Sequence, residues 1–388
     1  MKIRMALLGV ALIIPGCAAA TGQDVATAGP REIVATINAQ HTLEPLSKYE
    51  FGMFIEHIGP LIYRSLWSEM LDDRKFYFPI TSMESGSAGR QPSGGPRGME
   101  LRKWRPVGPG AAVTMDKDHP FVGDQSPRIE LDRSTAHGIR QSGLALVKGK
   151  QYVGRIWLRS TPGSKVHVSL IWGNGEHDRQ MVSISALSGE YRKFPLSFTA
   201  QVQTNDATLE ITGTGRGDFH IGAVSLMPAD NVEGFRPDTI ALLRQVHSGF
   251  WRLPGGNFLS DWSWYDSVGD IDKRPPMYDY AWNRMQSNDV GLDEFMTLCK
   301  LIGTEPYITV NAGFGDAHSA AEEVEYMNGS IHTRLGAMRA RNGHPEPYHI
   351  RFWDIGNEPY GPWQLGRTDL KYYVLKHNEF AKAMRKAD

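Results

Sequence analysis

The sequence predicts an α/β protein in which a (β/α)8 TIM-type barrel, with about four βα units present, is interrupted by an all-β jelly-roll domain. From residue 237 onward, strand-like and helix-like segments alternate, a pattern typical of parallel strands. Residues 101–228 instead show strand patterns separated by turn residues, with no helical period of useful length. A doubly wound sheet would fit the strand count, but no glycine-rich phosphate-binding loop follows the first strand.

Residues 1–20 predict an export signal. Lys2 and Arg4 precede an apolar run that is too short to span a membrane. Ile14-Pro15-Gly16-Cys17 resembles a bacterial lipobox, in which Cys17 would carry the lipid, and a plain signal peptide is the alternative. We therefore expect a bacterial protein that is exported: periplasmic, secreted, or an outer-membrane lipoprotein whose only membrane contact is a lipid anchor.

Residues 31–81 predict an N-terminal strand, at 33–38, followed by the first barrel unit. That unit begins with the apolar run Phe51-Gly-Met-Phe-Ile-Glu-His57, which ends in polar residues. Glycine, serine and proline then cluster at 82–96, as they do in linkers.

Residues 97–228 predict the inserted β-sandwich. The segments 152–159, 165–172 and 219–226 alternate or run apolar over strand lengths. The domain resembles a jelly-roll carbohydrate-binding module, although Gly222 stands where the closing pattern usually has Asp, and we predict no metal site. Trp157 and Trp172 are candidate sugar platforms, but strand aromatics belong more often to the core. A purely structural spacer is the alternative.

Residues 235–388 predict barrel units two to four. Strands are expected at 250–253, 306–310 and 351–355. The helices between and after these strands are expected at 238–246, 292–302, 319–327 and 369–385. Gly303 is a suitable C-terminal stop for the second helix. In the last helix we expect one apolar face formed by Leu370, Tyr373, Val374, His377, Phe380, Ala381 and Met384.

Composition excludes some classes of function. The 42 Lys and Arg residues balance 43 Asp and Glu residues, so there is no basic excess to neutralise the phosphates of a nucleic acid. Ten Trp and 14 Tyr residues suit contacts with sugar rings, although core packing accounts for most of them. Cys299 lies in a helix-like apolar pattern, and we expect a buried thiol rather than a nucleophile.

The predicted strand ends carry unusual polar or glycine-rich sequences. These are Glu56-His57, Arg252-Leu-Pro-Gly-Gly-Asn257, Asn311-Ala-Gly-Phe-Gly315 and Gly356-Asn357-Glu358. The carboxyl ends of barrel strands meet at one mouth, so these groups are expected to converge there. Glycoside hydrolysis needs two carboxyl groups, one of them protonated. We predict Glu358 as the general acid, kept protonated by partial burial.

These motifs together resemble glycoside hydrolase family 51, the retaining α-L-arabinofuranosidases of the Asn-Glu clan of barrel enzymes. The likeness rests on Phe51-Gly-Met-Phe-Ile-Glu-His-Ile-Gly59 with Tyr63, on the Arg252 and Asn311 motifs, and on Gly356-Asn-Glu-Pro-Tyr-Gly-Pro-Trp-Gln364. It covers residues 31–80 and 235–388 and implies no cofactor.

The resemblance also implies roles for individual residues. Glu358 would be the acid/base, and Asn357 would bind the hydroxyl next to the reacting carbon. Glu56 and Asn257 would bind furanose hydroxyls, and Arg252 would hold the nucleophile.

Trp363 would border the leaving-group subsite, with a packing role as the alternative. Leu253 and the pair Pro359-Tyr360 depart modestly from common family sequences, which leaves fine substrate preference open. The implied partners are arabinan, arabinoxylan or arabino-oligosaccharides. A homo-oligomer is also implied, since the family often forms oligomers.

The nucleophile implied by the resemblance, a Glu on a much later strand, is not found within the 388 residues. We therefore expect these residues alone to be inactive, because a retaining mechanism needs a covalent intermediate. Two other functions stay open: a non-catalytic carbohydrate-binding protein that uses the sandwich, and another glycosidase of the Asn-Glu clan.

Overall fold

The computed structural model describes residues 42–82, 101–161 and 163–388, together with residues 35, 38 and 40. The predicted export signal with Cys17 and most of the predicted linker at 82–96 lie outside the described residues. So does the strand predicted at 33–38, except for residues 35 and 38. Residues Ser47–Asp388 form one compact unit.

Ten helices and strands of this unit build a parallel sheet with its helices. The first two are β1 (Gly52–Phe54) and α1 (Leu61–Ser65). Ten strands of the sandwich follow, and they take the numbers 2 to 11. After the sandwich come α2 (Pro237–Val246), β12 (Phe250–Leu253), α3 (Leu292–Ile302), β15 (Glu305–Val310), α4 (Ala317–Asn328), α5 (Arg334–Arg341), β16 (Phe352–Ile355) and α6 (Leu370–Ala387). The strands pair in the order β1-β12-β15-β16, and every pair is parallel. A short antiparallel hairpin of β13 (Met277–Asp279) and β14 (Arg284–Gln286) lies between β12 and α3.

The helices begin and end where local chemistry dictates. Asp316, Thr333 and Asp369 each accept a backbone N–H at the start of α4, α5 and α6, which satisfies one of the N–H groups left unpaired there. Gly303 ends α3 with a φ of 76°, a left-handed conformation that suits glycine, as predicted.

Alternate side chains of the parallel strands pack against the helices. Trp251, Leu253 and Ile308 are buried in one cluster with apolar residues of α3 and α4. Val310 and Ile355 are buried in a second cluster with apolar residues of α4 and α6. Because side chains alternate along a strand, the residues between them, among them Arg252, Thr309 and Asp354, lie on the opposite face.

The strands of the sandwich are β2 (Arg105–Val107), β3 (Val113–Asp116), β4 (Ser126–Glu130), β5 (His137–Leu146), β6 (Gln151–Ser160), β7 (Lys165–Ile171), β8 (Arg179–Ile184), β9 (Arg192–Thr199), β10 (Thr204–Thr214) and β11 (Asp218–Pro228). They form two five-stranded antiparallel sheets, with strand orders β2-β5-β10-β7-β8 and β3-β4-β11-β6-β9. Inward residues such as Ile139, Ile156 and Leu209 are fully buried between the sheets.

The chain enters and leaves the sandwich at one place. Trp67 and Phe235 pair in an isolated antiparallel bridge, and their rings pack edge to face at 5.1 Å.

Gly222 is glycine for a steric reason, because a Cβ there would overlap the ring of Phe121. The predicted division of the chain into separate domains stays a prediction.

The predicted secondary structure is confirmed within a residue or two at each of the segments from 152 onward. The mixed α/β class is also confirmed. The four described parallel strands form an open sheet, so the closed barrel stays a prediction. Cys299 is buried as expected, and burial raises the pKa of its thiol to about 12. Within the described residues, none of the helices combines the length and apolarity needed to cross a membrane.

One expectation about packing is wrong. Phe380 and Met384 of α6 are buried, but Leu370 is 77% exposed and Val374 is exposed as well. The apolar stripe predicted along the whole helix is therefore covered mainly in its C-terminal half, where it packs against residues of α4 and β16.

Candidate active site

Polar side chains converge at the carboxyl ends of the four parallel strands. Glu56 follows β1, Asn257 follows β12, and Asn357 and Glu358 follow β16, while Arg252 lies on β12 itself. These are the ends that parallel strands bring to one edge of a sheet. Five of the six site residues predicted from the sequence are thus at the same edge, and Trp363 lies further along the chain after β16.

Glu56 is buried, and one of its oxygens accepts two hydrogen bonds. The indole N–H of Trp282 donates to Oε1 at 2.6 Å, and the backbone N–H of Phe258 donates to the same oxygen at 3.1 Å. Burial raises the pKa of Glu56 above its ordinary value, while these hydrogen bonds and the charge of Arg252 oppose that rise. Gly256 makes this approach possible, because a Cβ there would overlap the Glu56 carboxyl group.

Arg252 is the centre of a polar network. Its Nε lies 2.9 Å from Thr309 Oγ1 and 3.0 Å from Asp354 Oδ2, and its Nη2 donates to Asn357 Oδ1 at 3.0 Å. Asn357 in turn donates to Asn257 Oδ1 at 3.1 Å. Three predicted site residues are therefore joined in one hydrogen-bonded chain.

Glu358 differs from the expectation. Its side chain is exposed rather than partly buried, because Glu358 lies beyond the end of β16 and not within the sheet. Its backbone has a φ of 43°, a left-handed conformation uncommon for a residue with a Cβ and enriched at functional sites. The indole N–H of Trp363 donates to Glu358 Oε2 at 2.9 Å, and Trp363 itself is 58% exposed. Both predicted roles of Trp363, at the leaving-group subsite and in packing, stay predictions.

The third predicted motif has a mainly structural role. Asn311 Oδ1 accepts the backbone N–H groups of Gly313 and Gly315, and its amide donates to the carbonyl of Trp262. These bonds fix the turn after β15. The turn leaves Phe314 64% exposed.

Four residues that support the predicted site were missed. Trp282 and Asp279 belong to an irregular segment far from Glu56 in sequence, and no sequence pattern marks them. Asp279 is fully buried, and burial raises the pKa of its carboxyl group to about 7. Thr309 and Asp354 lie inside strands; a polar residue at an alternate position of an otherwise apolar strand was the available signal.

The site is suited to a polyhydroxylated ligand. Carboxylate, amide and guanidinium groups lie together with the exposed rings of Trp363 and Tyr360. The centroids of these two rings are 6.3 Å apart. Among the described residues, three or more His, Cys, Asp or Glu side chains nowhere gather as metal ligands would. The groups at hand offer hydrogen bonding and proton transfer.

The comparisons with known proteins agree with this chemistry. Residues 242–388 match the family described as the alpha-L-arabinofuranosidase 1 domain. Probable alpha-L-arabinofuranosidase C of Aspergillus clavatus is 41% identical over 161 residues, which are 42% of this chain and 32% of that protein. The intracellular exo-alpha-(1->5)-L-arabinofuranosidase of Streptomyces lividans is 40% identical over 163 residues, 42% of this chain and 25% of that protein.

A solved structure resembles the fold more widely. An arabinose-bound α-L-arabinofuranosidase of family 51 superposes with a TM-score of 0.69 over 86% of this chain and 56% of its own, at 19% identity. At that identity the likeness concerns the fold alone. The matched part of the chain spans about a third or less of the curated relatives above.

These likenesses lie among the glycoside hydrolases. Residues 242–388 match the α-L-arabinofuranosidase 1 domain, and the resemblance to family 51 that the strand-end motifs predicted is confirmed.

Proposed function

We propose that this chain supplies the acid/base side of a retaining α-L-arabinofuranosidase. The enzyme would release non-reducing terminal α-L-arabinofuranosyl residues from arabinan, arabinoxylan or arabino-oligosaccharides. The observation that carries the proposal is the convergence of Glu56, the chain Arg252–Asn357–Asn257, and Glu358 at one edge of the parallel sheet. The names of the relatives support the sugar, and the chemistry of these groups supports the reaction.

Glu358 would be the acid/base. In the first step it gives its proton to the leaving oxygen, and in the second step it takes a proton from the attacking water. Its exposed position leaves room for both the leaving group and the water. Trp363, which donates to one carboxyl oxygen, would hold the other oxygen toward the glycosidic bond and border the leaving-group subsite.

The buried groups would hold the sugar ring. The two hydrogen bonds to Glu56 described above are both made to its Oε1. Its Oε2 can accept a hydrogen bond from a furanose hydroxyl. Asn257 and Asn357 would bind further hydroxyls. Arg252 would hold the nucleophile carboxylate. In this structure the guanidinium lies close to Asp354, and the nucleophile would bind the guanidinium beside that residue.

We further propose that the parallel sheet is part of a (β/α)8 barrel and that residues 1–388 taken alone bind sugar without hydrolysing it. A retaining mechanism places a second carboxyl group about 5–5.5 Å from the acid, and the resemblance assigns that nucleophile to none of these residues. Export of the protein, a lipid anchor at Cys17 and self-association belong to the same proposal.

Hydrolysis of chromogenic arabinofuranosides tests the proposal. A longer form that includes a nucleophile segment should release the chromophore, and residues 1–388 should not. In the longer form, Glu358→Ala should abolish turnover of substrates with poor leaving groups and spare activated ones, which need less protonation. Glu379→Ala, at an exposed position of α6, is the matched control. Equal losses on both kinds of substrate would argue against the acid/base role.

The sandwich-based alternative is not favoured. Trp157 donates its indole N–H to Asp272, and Trp172 packs against the sandwich core, so both candidate platforms are partly buried. If variants that lack the strand-end groups still bound arabinan or arabinoxylan, the result would favour this alternative. Release of xylose or glucose in place of arabinose would instead favour another activity of the Asn-Glu clan.

A further inference from the structure

One irregular segment touches both the sandwich and the candidate active site. We name residues 270–289, which include the β13–β14 hairpin, the bridging loop. Its two ends contact the sandwich and the segment that leads into it, whereas its hairpin reaches Glu56. The contacts on each side are direct hydrogen bonds between side chains.

The first anchor of the bridging loop is Asp272. Its carboxylate is 1% exposed and accepts from Arg155 Nε at 2.6 Å, Arg155 Nη2 at 2.8 Å and Trp157 Nε1 at 2.9 Å. Arg155 and Trp157 are both on β6 of the sandwich. Arg74, in the segment before the sandwich, donates to the same carboxylate at 2.8 Å. Both oxygens of this buried group are therefore occupied.

The second anchor is Asp289, at the other end of the loop. Arg74 donates to both of its oxygens at 2.6 Å, and Lys75 Nζ lies 2.8 Å from Oδ1. Lys75 also donates to the carbonyls of Arg274 and Ser287. Both ends of the loop are thus fixed by buried, charge-assisted hydrogen bonds, which are stronger and more directional than neutral ones.

The hairpin of the loop holds the sugar-binding carboxylate. Asp279 accepts the backbone N–H groups of Ala281 and Trp282, which orients the turn. Trp282 then donates its indole N–H to Glu56 Oε1 at 2.6 Å, and Gln286 donates to the carbonyl of His57. The Trp282 indole shares Oε1 of Glu56 with the backbone N–H of Phe258, and it makes the shorter of the two bonds that orient the carboxylate.

We propose that the sandwich positions the sugar-binding carboxylate through the bridging loop, with Arg155 and Trp157 acting as positioning residues. The inference rests on the proposed function for the role of Glu56. It assigns the inserted domain a function other than carbohydrate capture: its β6 strand fixes the loop whose indole orients Glu56. A binding group must be held to within about half an ångström by the residues behind it, and this chain of contacts supplies that support.

The indole N–H signal of Trp282 in a nitrogen-correlated NMR spectrum of the 388-residue chain tests the coupling. Trp282→Phe identifies the signal. Trp157→Phe removes one donor to Asp272 and keeps an aromatic ring, and Arg155→Met removes two donors; each should move the Trp282 signal. Arg128→Met removes an arginine that pairs with Asp218 elsewhere in the same sheet, and it should leave the signal in place.

Titration with L-arabinose gives the second readout. Trp157→Phe and Arg155→Met should weaken binding about tenfold, the equivalent of about 1.4 kcal/mol. A merely structural role would lower the melting temperature of both variants while the Trp282 signal stays unmoved, and that result overturns the proposal. If Trp282 moves in both variants but wild type does not bind arabinose, the coupling stands and the proposed function fails. Trp157→Phe keeps the test decisive if Arg155→Met does not fold.

Discussion

Two arginines mark the difference between the junction with the sandwich and the candidate active site. Arg74 is 2% exposed, and its guanidinium donates to the carboxylates of Asp272 and Asp289 and to the carbonyl of Ile271. Arg252 is 20% exposed in its side chain, and its partners are one carboxylate, one hydroxyl and one amide. Both arginines belong to networks, but only the second network is open to a ligand.

The comparison separates two uses of charge. A buried charge is tolerated only when its partners are complete, so the Arg74 network specifies how the bridging loop meets the sandwich. The Arg252 network is half-buried and contains neutral amides that can exchange partners with sugar hydroxyls. Variants at the junction should therefore act mainly on stability, and variants at the sheet edge mainly on binding and turnover.

Arg74→Met should have the largest effect on the free energy of unfolding. It leaves Asp272 and Asp289 buried with incomplete partners, and losing one side of a buried ion pair costs about 3–5 kcal/mol. Urea unfolding measures the loss. Arg128→Met, which breaks the exposed pair with Asp218, should cost no more than about 1 kcal/mol. Equal losses in the two variants would erase the distinction between buried and exposed charge networks.

Gly256→Ala should cost less in stability, about 2–3 kcal/mol, and it should also disrupt the site. Gly256 has φ 71° and ψ −163°, a region nearly restricted to glycine, and a Cβ there would overlap the Glu56 carboxyl group. Arabinose binding by calorimetry should be lost. Gly303→Ala, with φ 76° and open space around the added methyl group, controls for backbone strain alone. Retained binding in Gly256→Ala would show that Glu56 is not held where the structure places it.

The sequence predicted the gathering of Glu56, Arg252, Asn257, Asn357 and Glu358 for a clear reason. Parallel strands bring their carboxyl ends to one edge, so locating each strand was enough to locate the residues that follow it. The strands and helices themselves could be predicted because each shows a short periodic pattern of apolar residues that is bounded by glycine, proline or a capping residue.

The supporting residues could not be predicted in this way. Trp282 lies 226 residues from Glu56 in the chain, and Asp272 lies 117 residues from Arg155, so no local pattern links them. The exposure of Glu358 depends on the turn after its strand, and the expected burial was inferred from the strand alone. The exposed N-terminal half of α6 likewise depends on which elements contact it, which periodicity does not encode.

Asp279→Asn should change the pH dependence of stability. Burial raises the pKa of Asp279 in the folded protein to about 7, above the ordinary value of 3.8. A group with a raised folded pKa favours folding only while protonated, so wild type should lose stability as pH rises from about 4 to about 7. The substitution would remove that part of the loss, up to about 1.4 kcal/mol per pH unit, because an amide does not titrate. Thermal unfolding at pH values across this range measures it, and identical slopes in both proteins would refute the titration of Asp279.

Asp354→Asn should have the smallest effect on stability and a selective effect on the site. The pair with Arg252 is partly exposed, so the unfolding free energy should change by less than about 1 kcal/mol. Within the described residues, the guanidinium would lose the carboxylate that it pairs with and keep its bonds to Thr309 and Asn357. In a longer, active form, kcat/KM for an arabinofuranoside should therefore fall about tenfold or more, since a hydrogen bond to a charged group contributes about 1.5–3 kcal/mol. Asp316→Asn, which keeps a side chain able to cap α4, should leave kcat/KM unchanged. A drop in stability without a drop in kcat/KM would place Asp354 with the structural charges of the junction rather than with the site.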